Sequence, residues 1–376
     1  MMNRRRLIGA LGAAPLAWPA ASRAQRAGNR LILGQSAAFT GPAAQLGLQM
    51  NRGAKLCFDA FNASGGLNGT TIEVVALDDG YDPERCKTNT AKFIADDVFA
   101  LFGYVGTPTS LAALPLVRES KLPFIGPFTG AMSLREPALR NVFHVRASYD
   151  DETALIVRQL TSLGLRRIAV FRQNDSYGQA GLDGVNKALK AQGLEPVAVG
   201  TVERNSTEVA AAVKAITAAR PDAVVQIGAY KGCAAFIRAA RQAGYGGTFY
   251  NVSFVGTQAL ADELGREARG VMVSQVMPYP YTQSIAVVRD YLEQVRKSGG
   301  TAQANYSSME GYIAARLVIE GLKRARTLTS EGLVNGLESL QNFSLGGFPV
   351  SFGPGNRVAS KFVELSMLTE DGGVRR

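Results

Sequence analysis

The stretch Val98-Phe99-Ala100-Leu101-Phe102-Gly103-Tyr104-Val105, followed at once by Gly106-Thr107-Pro108-Thr109-Ser110, decides the fold. Eight residues without a charge or a polar alternation fit a strand buried on both faces. The proline just past the glycine fits the start of a helix, expected over 108–119. The same rhythm recurs on either side. Strands are expected at 30–36, 71–77, 122–125 and 142–145, with helices at 45–61 and 83–95, the first closed by Gly65-Gly66. A second series restarts with a helix at 152–163, strands at 167–171, 196–199, 222–227, 248–250 and 271–274, and helices at 178–191, 207–219 and 233–243. Beyond Pro280 the pattern is mainly helical (285–297, 307–324, 330–337), then two strands, 348–352 and 361–368, flank the turn Gly353-Pro354-Gly355-Asn356. Two successive runs of apolar strands separated by helices predict an α/β fold of two doubly wound parallel-sheet lobes with a cleft between them.

The composition agrees with that reading. The chain has 376 residues, 46% hydrophobic and 19% charged, which excludes a disulfide-dense mini-protein and disfavours disorder. Arg4-Arg5-Arg6, a mild apolar run at 7–18 and the small residues Ala20-Ala21-Ser22-Arg23-Ala24 describe an export signal over residues 1–24, directing the chain to the periplasm. The paired arginines before Leu7-Ile8 fit a twin-arginine signal, and the general export route stays open. Cleavage removes Arg4, Arg5, Arg6 and Arg23 and no acid, lowering the formal net charge from +10 to +6. No basic cluster with interleaved aromatics remains, which argues against nucleic-acid binding. Three cysteines leave two alternatives, a Cys57–Cys86 disulfide or three buried thiols.

Catalytic text is missing. There is no G-x-G-x-x-G after the first strand, no phosphate-binding G-x-x-x-x-G-K-[ST] and no G-x-S-x-G elbow. The single histidine, His144, sits inside the apolar run Val142-Phe143-His144-Val145 and reads as structural. One histidine and three scattered cysteines make no metal site, and no cofactor is expected. The acids Asp78-Asp79 and Asp150-Asp151-Glu152 fall at strand ends or helix starts, where turns and helix dipoles account for them. The expectation is binding without turnover; a hydrolase or dehydrogenase is the weaker alternative.

Several motifs occur in order: Phe39-Thr40-Gly41-Pro42; Asn62-Ala63-Ser64-Gly65-Gly66-Leu67-Asn68-Gly69; Asp78-Asp79-Gly80-Tyr81-Asp82-Pro83; Ile125-Gly126-Pro127; and Asp175-Ser176-Tyr177-Gly178. This set resembles the periplasmic leucine/isoleucine/valine-binding proteins, the type I substrate-binding components of ABC importers, over essentially the whole mature chain. The resemblance implies two lobes joined by a three-crossover hinge, placed here near Ala147, Gln275 and Gly353. Lobe 1 would hold 29–147 and 276–352, and lobe 2 would hold 148–275 and 353–376. It further implies a monomer that closes over a small ligand and is read by an inner-membrane permease. A ligand-sensing module of the same fold is the alternative within the binding class; no helix-turn-helix or transmitter segment accompanies it.

The candidate site sits beyond the carboxyl ends of the strands. Gly106-Thr107-Pro108-Thr109-Ser110 and Gly126-Pro127-Phe128-Thr129-Gly130-Ala131 offer hydroxyls and helix-start N–H groups, suiting a carboxylate. By resemblance Thr107 grips that carboxylate, with Thr129 or the Gly130 backbone as the second contact. Tyr230 and Tyr177 would cover the ligand. Tyr149 and Ser253 replace the two acids that neutralise an amino acid's ammonium in the family, and Leu46 stands where the family often has tyrosine. With Phe39, Phe128 and Phe254 they would line an aromatic pocket. The expected ligand is a small carboxylate, an amino acid or an aromatic or organic acid. The lost acids favour one without an α-amino group, unless Asp150 takes their place.

Overall fold

The computed structural model describes residues 29–376. The export signal lies outside them. The first unit is built on a five-stranded, all-parallel sheet of β1 (Arg30–Ala37), β2 (Thr71–Asp78), β3 (Ala100–Phe102), β4 (Phe124–Ile125) and β5 (Val142–Phe143), in the order β2-β1-β3-β4-β5. Helices α1 (Ala44–Ala63), α2 (Pro83–Ala95) and α3 (Thr107–Ser120) cross between strands. Asp82 caps α2 through the Arg85 N–H, with Pro83 in the first turn.

The second unit carries α4 (Tyr149–Ser162), β6 (Ile168–Gln173), α5 (Ser176–Lys190), β7 (Val199–Val202), α6 (Ala210–Ala218), β8 (Ala223–Ile227), α7 (Tyr230–Gln242), β9 (Thr248–Asn251), α8 (Thr257–Leu264) and β10 (Met272–Gln275). The chain then returns to the first unit as α9 (Ala286–Lys297), α10 (Tyr306–Arg324) and α11 (Ser330–Glu338). Helix α10 packs along α1 and against α11. After the hairpin β11 (Phe343–Leu345) and β12 (Phe348–Val350), it crosses again. Strands β13 (Glu364–Leu368) and β14 (Val374–Arg375) extend the second sheet, ordered β14-β13-β10-β9-β8-β6-β7. That sheet is parallel from β10 to β7; β13 runs antiparallel to β10. Two α/β layers of this kind are the fold the sequence pattern predicts.

Many elements begin or end a few residues from expectation, the deciding strand among them (Ala100–Phe102 within the expected 98–105), and three differences have a plain physical reason. Helix α4 starts at Tyr149 rather than 152, because Ser148 and Asp151 form a reciprocal capping box. Edge strand β7 starts at Val199 and runs through Gly200-Thr201-Val202, with alternate residues exposed. The apolar run before it only leads into the sheet. The 348–350 strand pairs with 343–345 across the Gly346-Gly347 turn, a hairpin signal within the sequence, and not with the later strand. All three cysteines are free and buried, so the alternative of a Cys57–Cys86 bridge is not the one adopted.

The first unit depends on one helix crossing. A Cβ on Gly53 of α1 would stand 1.8 Å from the Ser308 carbonyl oxygen, and one on Gly311 of α10 would stand 2.1 Å from that of Met50. The two backbones touch, so any side chain there must push the helices apart. Gly53→Ala or Gly311→Ala is expected to cost about 3 kcal/mol in denaturant unfolding. A loss below roughly 0.5 kcal/mol would show that the crossing is loose.

Candidate functional site

The carboxyl ends of the strands in both units meet at a closed seam. The turn after β3 brings Thr107 to the start of α3, and the turn after β4 brings Phe128, Thr129 and Gly130; all are buried. The Thr107 and Thr129 hydroxyls lie 2.6 Å apart. Thr129 Oγ1 also accepts from the Ala131 N–H at 3.2 Å and lies 3.4 Å from the Tyr149 hydroxyl, so three hydroxyls converge. Gly130 holds Tyr149 in place: its carbonyl accepts the Tyr149 N–H at 2.8 Å, and a Cβ on it would stand 2.6 Å from the ring. Helix α3 has no side-chain cap, and the Thr109 hydroxyl is spent on the carbonyls of Val105 and Gly106. Thr107 is thus directed into the seam instead of capping its helix. The turn needs Gly106, whose φ is +104° and whose Cβ would meet Tyr81 at 2.3 Å.

Aromatic rings surround the hydroxyls. Phe254 of the second unit is their hub, with centroids 4.5 Å from Tyr177, 5.6 Å from Phe128 and 6.0 Å from Tyr81; Tyr149 and Tyr177 are 5.4 Å apart. Burial pushes the Tyr149 phenol up to about 12, and the Tyr81 and Tyr177 phenols well above their usual value. These hydroxyls are therefore neutral donors. Tyr81 and Phe128 come from the first unit, Tyr149, Tyr177 and Phe254 from the second, so the cluster forms only when the two meet. The Gln173 amide, 3.3 Å from the Tyr81 hydroxyl, and the Asn205 amide, 3.0 Å from the Gly80 carbonyl, also span the seam.

Of the residues expected from sequence, Thr107, Phe128, Thr129, Gly130, Tyr149 and Tyr177 come together here. Ser253 lies beside them under Arg146. Leu46 is buried where a Cβ on Gly256 of the second unit would stand 2.6 Å from its Cδ2. Phe39 and Tyr230 make no hydrogen bond or ring contact with the cluster. Phe39 is half-buried, and its N–H is held by Asp78 at 2.8 Å. Tyr230 lines a separate polar groove of about 850 Å³ with Gln45, Arg52, Lys231 and Asp262. Asp150 faces away, paired with Lys187 at 2.9 Å.

Sequence reasoning missed the charges at the base of the seam. Arg146 is 1% exposed and paired twice with Glu310 of α10, at 2.8 and 2.7 Å. Its third nitrogen reaches Ser253 Oγ of the second unit at 3.2 Å, and its guanidinium lies 4.1 Å over the Phe128 ring. Burial opposes its charge, but Glu310 outweighs burial and holds its pKa above the ordinary value. Glu152 on α4 is fully buried. Its Oε2 accepts the Ser253 N–H at 2.7 Å and the Ser274 hydroxyl at 2.6 Å. Arg135 ties the surrounding backbone together by donating to the carbonyls of Arg146, Thr129 and Ala147. The available signal was a lone acid at Glu310 inside an otherwise apolar helix face. Glu152 gave none, since an acid after Ser148 reads as a cap.

A family model described as periplasmic binding protein matches residues 32–371. The chain belongs to that family. An amino acid binding protein from Pseudomonas aeruginosa is 24% identical to this periplasmic binding protein over 76% of the chain and 78% of its own length. A Leu/Ile/Val-binding protein homolog 7 from Brucella melitensis is 23% identical over 80% and 79%. The structure of a possible leucine/isoleucine/valine-binding protein from Rhodopirellula baltica superposes with a TM-score of 0.87 at 34% identity, covering 92% of this chain and 95% of its own. A substrate-binding periplasmic protein from Ralstonia solanacearum gives 0.86 at 31%, covering 92% and 99%. The protein is a non-catalytic, periplasmic solute-binding component of an ABC transporter that binds by lobe closure and works with a membrane permease. Among the described residues there is no metal-binding cluster and no helix long and apolar enough to cross a membrane.

Two tests follow from the buried charges. Glu310→Ala strands Arg146 and is expected to cost about 3–5 kcal/mol, whereas the double change Arg146→Met/Glu310→Leu should recover most of it in chemical denaturation. A double variant as unstable as the single would show that the pair's worth lies elsewhere. Asp79 concerns pH. It is buried beneath Tyr81, and burial pushes its pKa from 3.8 to about 6 against the Ser36 hydroxyl and the Tyr81 N–H. A raised carboxyl favours the fold only while protonated, so its contribution, about 3 kcal/mol, is present below pH 4 and lost as pH rises through 6. Asp79→Asn should remove that part of the fall in stability between pH 4 and 7; an unchanged pH slope would contradict it.

Proposed function

We propose that this protein delivers a small carboxylate-bearing ligand to its permease, held by the Thr107 and Thr129 hydroxyls and the Tyr149 hydroxyl under a lid of Tyr81, Phe128, Tyr177 and Phe254. The observation that carries this reading is the 2.6 Å meeting of Thr107 with Thr129 inside the interlobe aromatic cluster. Neutral donors converging from a strand-end turn and a helix start suit an anionic oxygen pair, and their burial strengthens each bond. The rings supply apolar area for the rest of a small ligand. Hinge crossings near Ala147, Gln275 and Gly353 would let the lobes part, since every member of the cluster is buried when they are shut. The amino-acid and Leu/Ile/Val-binding names of the relatives also support a small carboxylate. Ser253 and Leu46 complete the proposed lining.

A thermal-shift screen of small carboxylates, followed by calorimetry, tests the proposal. The expectation is a stabilising carboxylate whose affinity falls about 10- to 100-fold in Thr107→Val and again in Thr129→Val. Its amide or ester should be silent. Equal binding of acid and amide, or unchanged affinity in both variants, would overturn the reading.

A further inference from the structure

The two units also meet along the edge remote from the places where the chain passes between them. Those crossings fall after β5, after β10 and before β13. Strands β2 and β7 are the opposite edges of their sheets, four strand spacings from β5 and from β10 respectively, or about 20 Å. There the turn after β2 meets the turn after β7. Asn205 Nδ2 donates to the Gly80 carbonyl at 3.0 Å, and the Gln173 amide donates to the Tyr81 hydroxyl at 3.3 Å. Rotation about the crossings moves each point in proportion to its distance from them, so these two bonds part early in any opening.

The backbone on both sides of this contact is unusual. Tyr81 has φ +63° and Asn205 φ +62°. Left-handed backbone suits glycine and asparagine and strains a tyrosine. The ring accounts for a tyrosine there: it is fully buried, lies 6.0 Å from Phe254 of the second unit, and carries the hydroxyl that meets Gln173. Each turn is braced within its own unit. Asp78 Oδ1 accepts the Gly80 N–H at 3.0 Å, and Asp79 Oδ1 accepts the Tyr81 N–H at 2.8 Å. Across the seam, the Asn174 amide holds Glu203 at 2.7 Å, and Arg204 lies 3.7 Å from Asp175, which also receives the Gln173 amide. Gln173 and Asn205 therefore ride on one tied pair of loops, and two preformed pieces meet with little left to order. We infer that Tyr81 and Asn205 form a clasp, positioning residues for closure that set the balance between shut and open lobes. The clasp is independent of the carboxylate reading, because neither of its two hydrogen bonds involves the threonine pair.

Pulsed dipolar spectroscopy of the mature, ligand-free chain tests this, with spin labels at Lys87→Cys on α2 and Lys214→Cys on α6, the helices that follow the two turns. Both lysines are exposed, and the native cysteines are buried. Asn205→Gly keeps the left-handed backbone and removes the donor. Asn205→Asp keeps the shape and sets an acceptor against the Gly80 carbonyl. Wild type should show a shut population, and Asn205→Gly should lower the ratio of shut to open about 5- to 10-fold. Asn205→Asp should lower it at least as far. Tyr81→Phe, which keeps the ring, should lower it about 2- to 5-fold. Urea midpoints of the Asn205 variants should stay close to wild type, because the side chain is exposed and supports no core. An unchanged ratio in both Asn205 variants, or a wild type with no shut population, would overturn the clasp. So would an aspartate variant as shut as wild type, since bulk rather than the bond would then matter. A Tyr81→Phe ratio equal to wild type would refute the part given to Tyr81.

Discussion

A buried cation sits at the join of the two lobes, and the arrangement around it follows from the need to satisfy it. Taking an arginine out of water costs several kcal/mol, about the scale of a domain's whole stability, unless each nitrogen finds a partner. Arg146 finds Glu310 behind it, the Phe128 ring beneath it and Ser253 across the seam. The first two belong to the first lobe and hold the side chain from that side. The third belongs to the second lobe and reaches across the seam. The guanidinium thus serves as a rigid post in one lobe that offers a single bond to the other.

Around that post the chemistry divides by lobe. The first contributes two neutral threonine hydroxyls raised on strand-end turns. The second contributes Tyr149, whose backbone is already bonded to Gly130, and the carboxylate of Glu152. Aromatic rings from both sides interleave at Phe254. Direct side-chain bonds across the seam include Arg146 to Ser253, Gln173 to Tyr81 and Asn205 to the Gly80 carbonyl. A ligand contributing even two charge-assisted hydrogen bonds would then bias the opening equilibrium by a factor of 10 or more, on the order of what a closure signal requires.

Much of this was legible in the residues. The unbroken apolar strand from Val98 and the threonine after Gly106 announced both the layered fold and the place where side chains converge. The aromatic character of Phe128, Tyr149 and Tyr177 was legible too. The charged residues were not, because sequence reading assigns an acid near a helix start to capping. That account is correct for Asp151 and wrong for Glu152, which differs from it only by the 100° rotation of one helical residue. Tyr81 was hidden inside a turn motif, and its approach to the seam depends on Gly106, distant in sequence. Tyr230 illustrates the converse: an aromatic at a strand end that the fold assigns to a polar groove apart from the cluster.

The central claim is that recognition takes place between the lobes at the hydroxyl cluster. A crystal structure of the mature protein with its bound small molecule tests it most directly. The account predicts ligand density enclosed by Thr107, Thr129, Tyr149 and Phe254, with a carboxylate within about 3 Å of the threonine hydroxyls. Density lying instead in the groove of Gln45, Tyr230 and Asp262, with the threonine pair still in mutual contact, would contradict it.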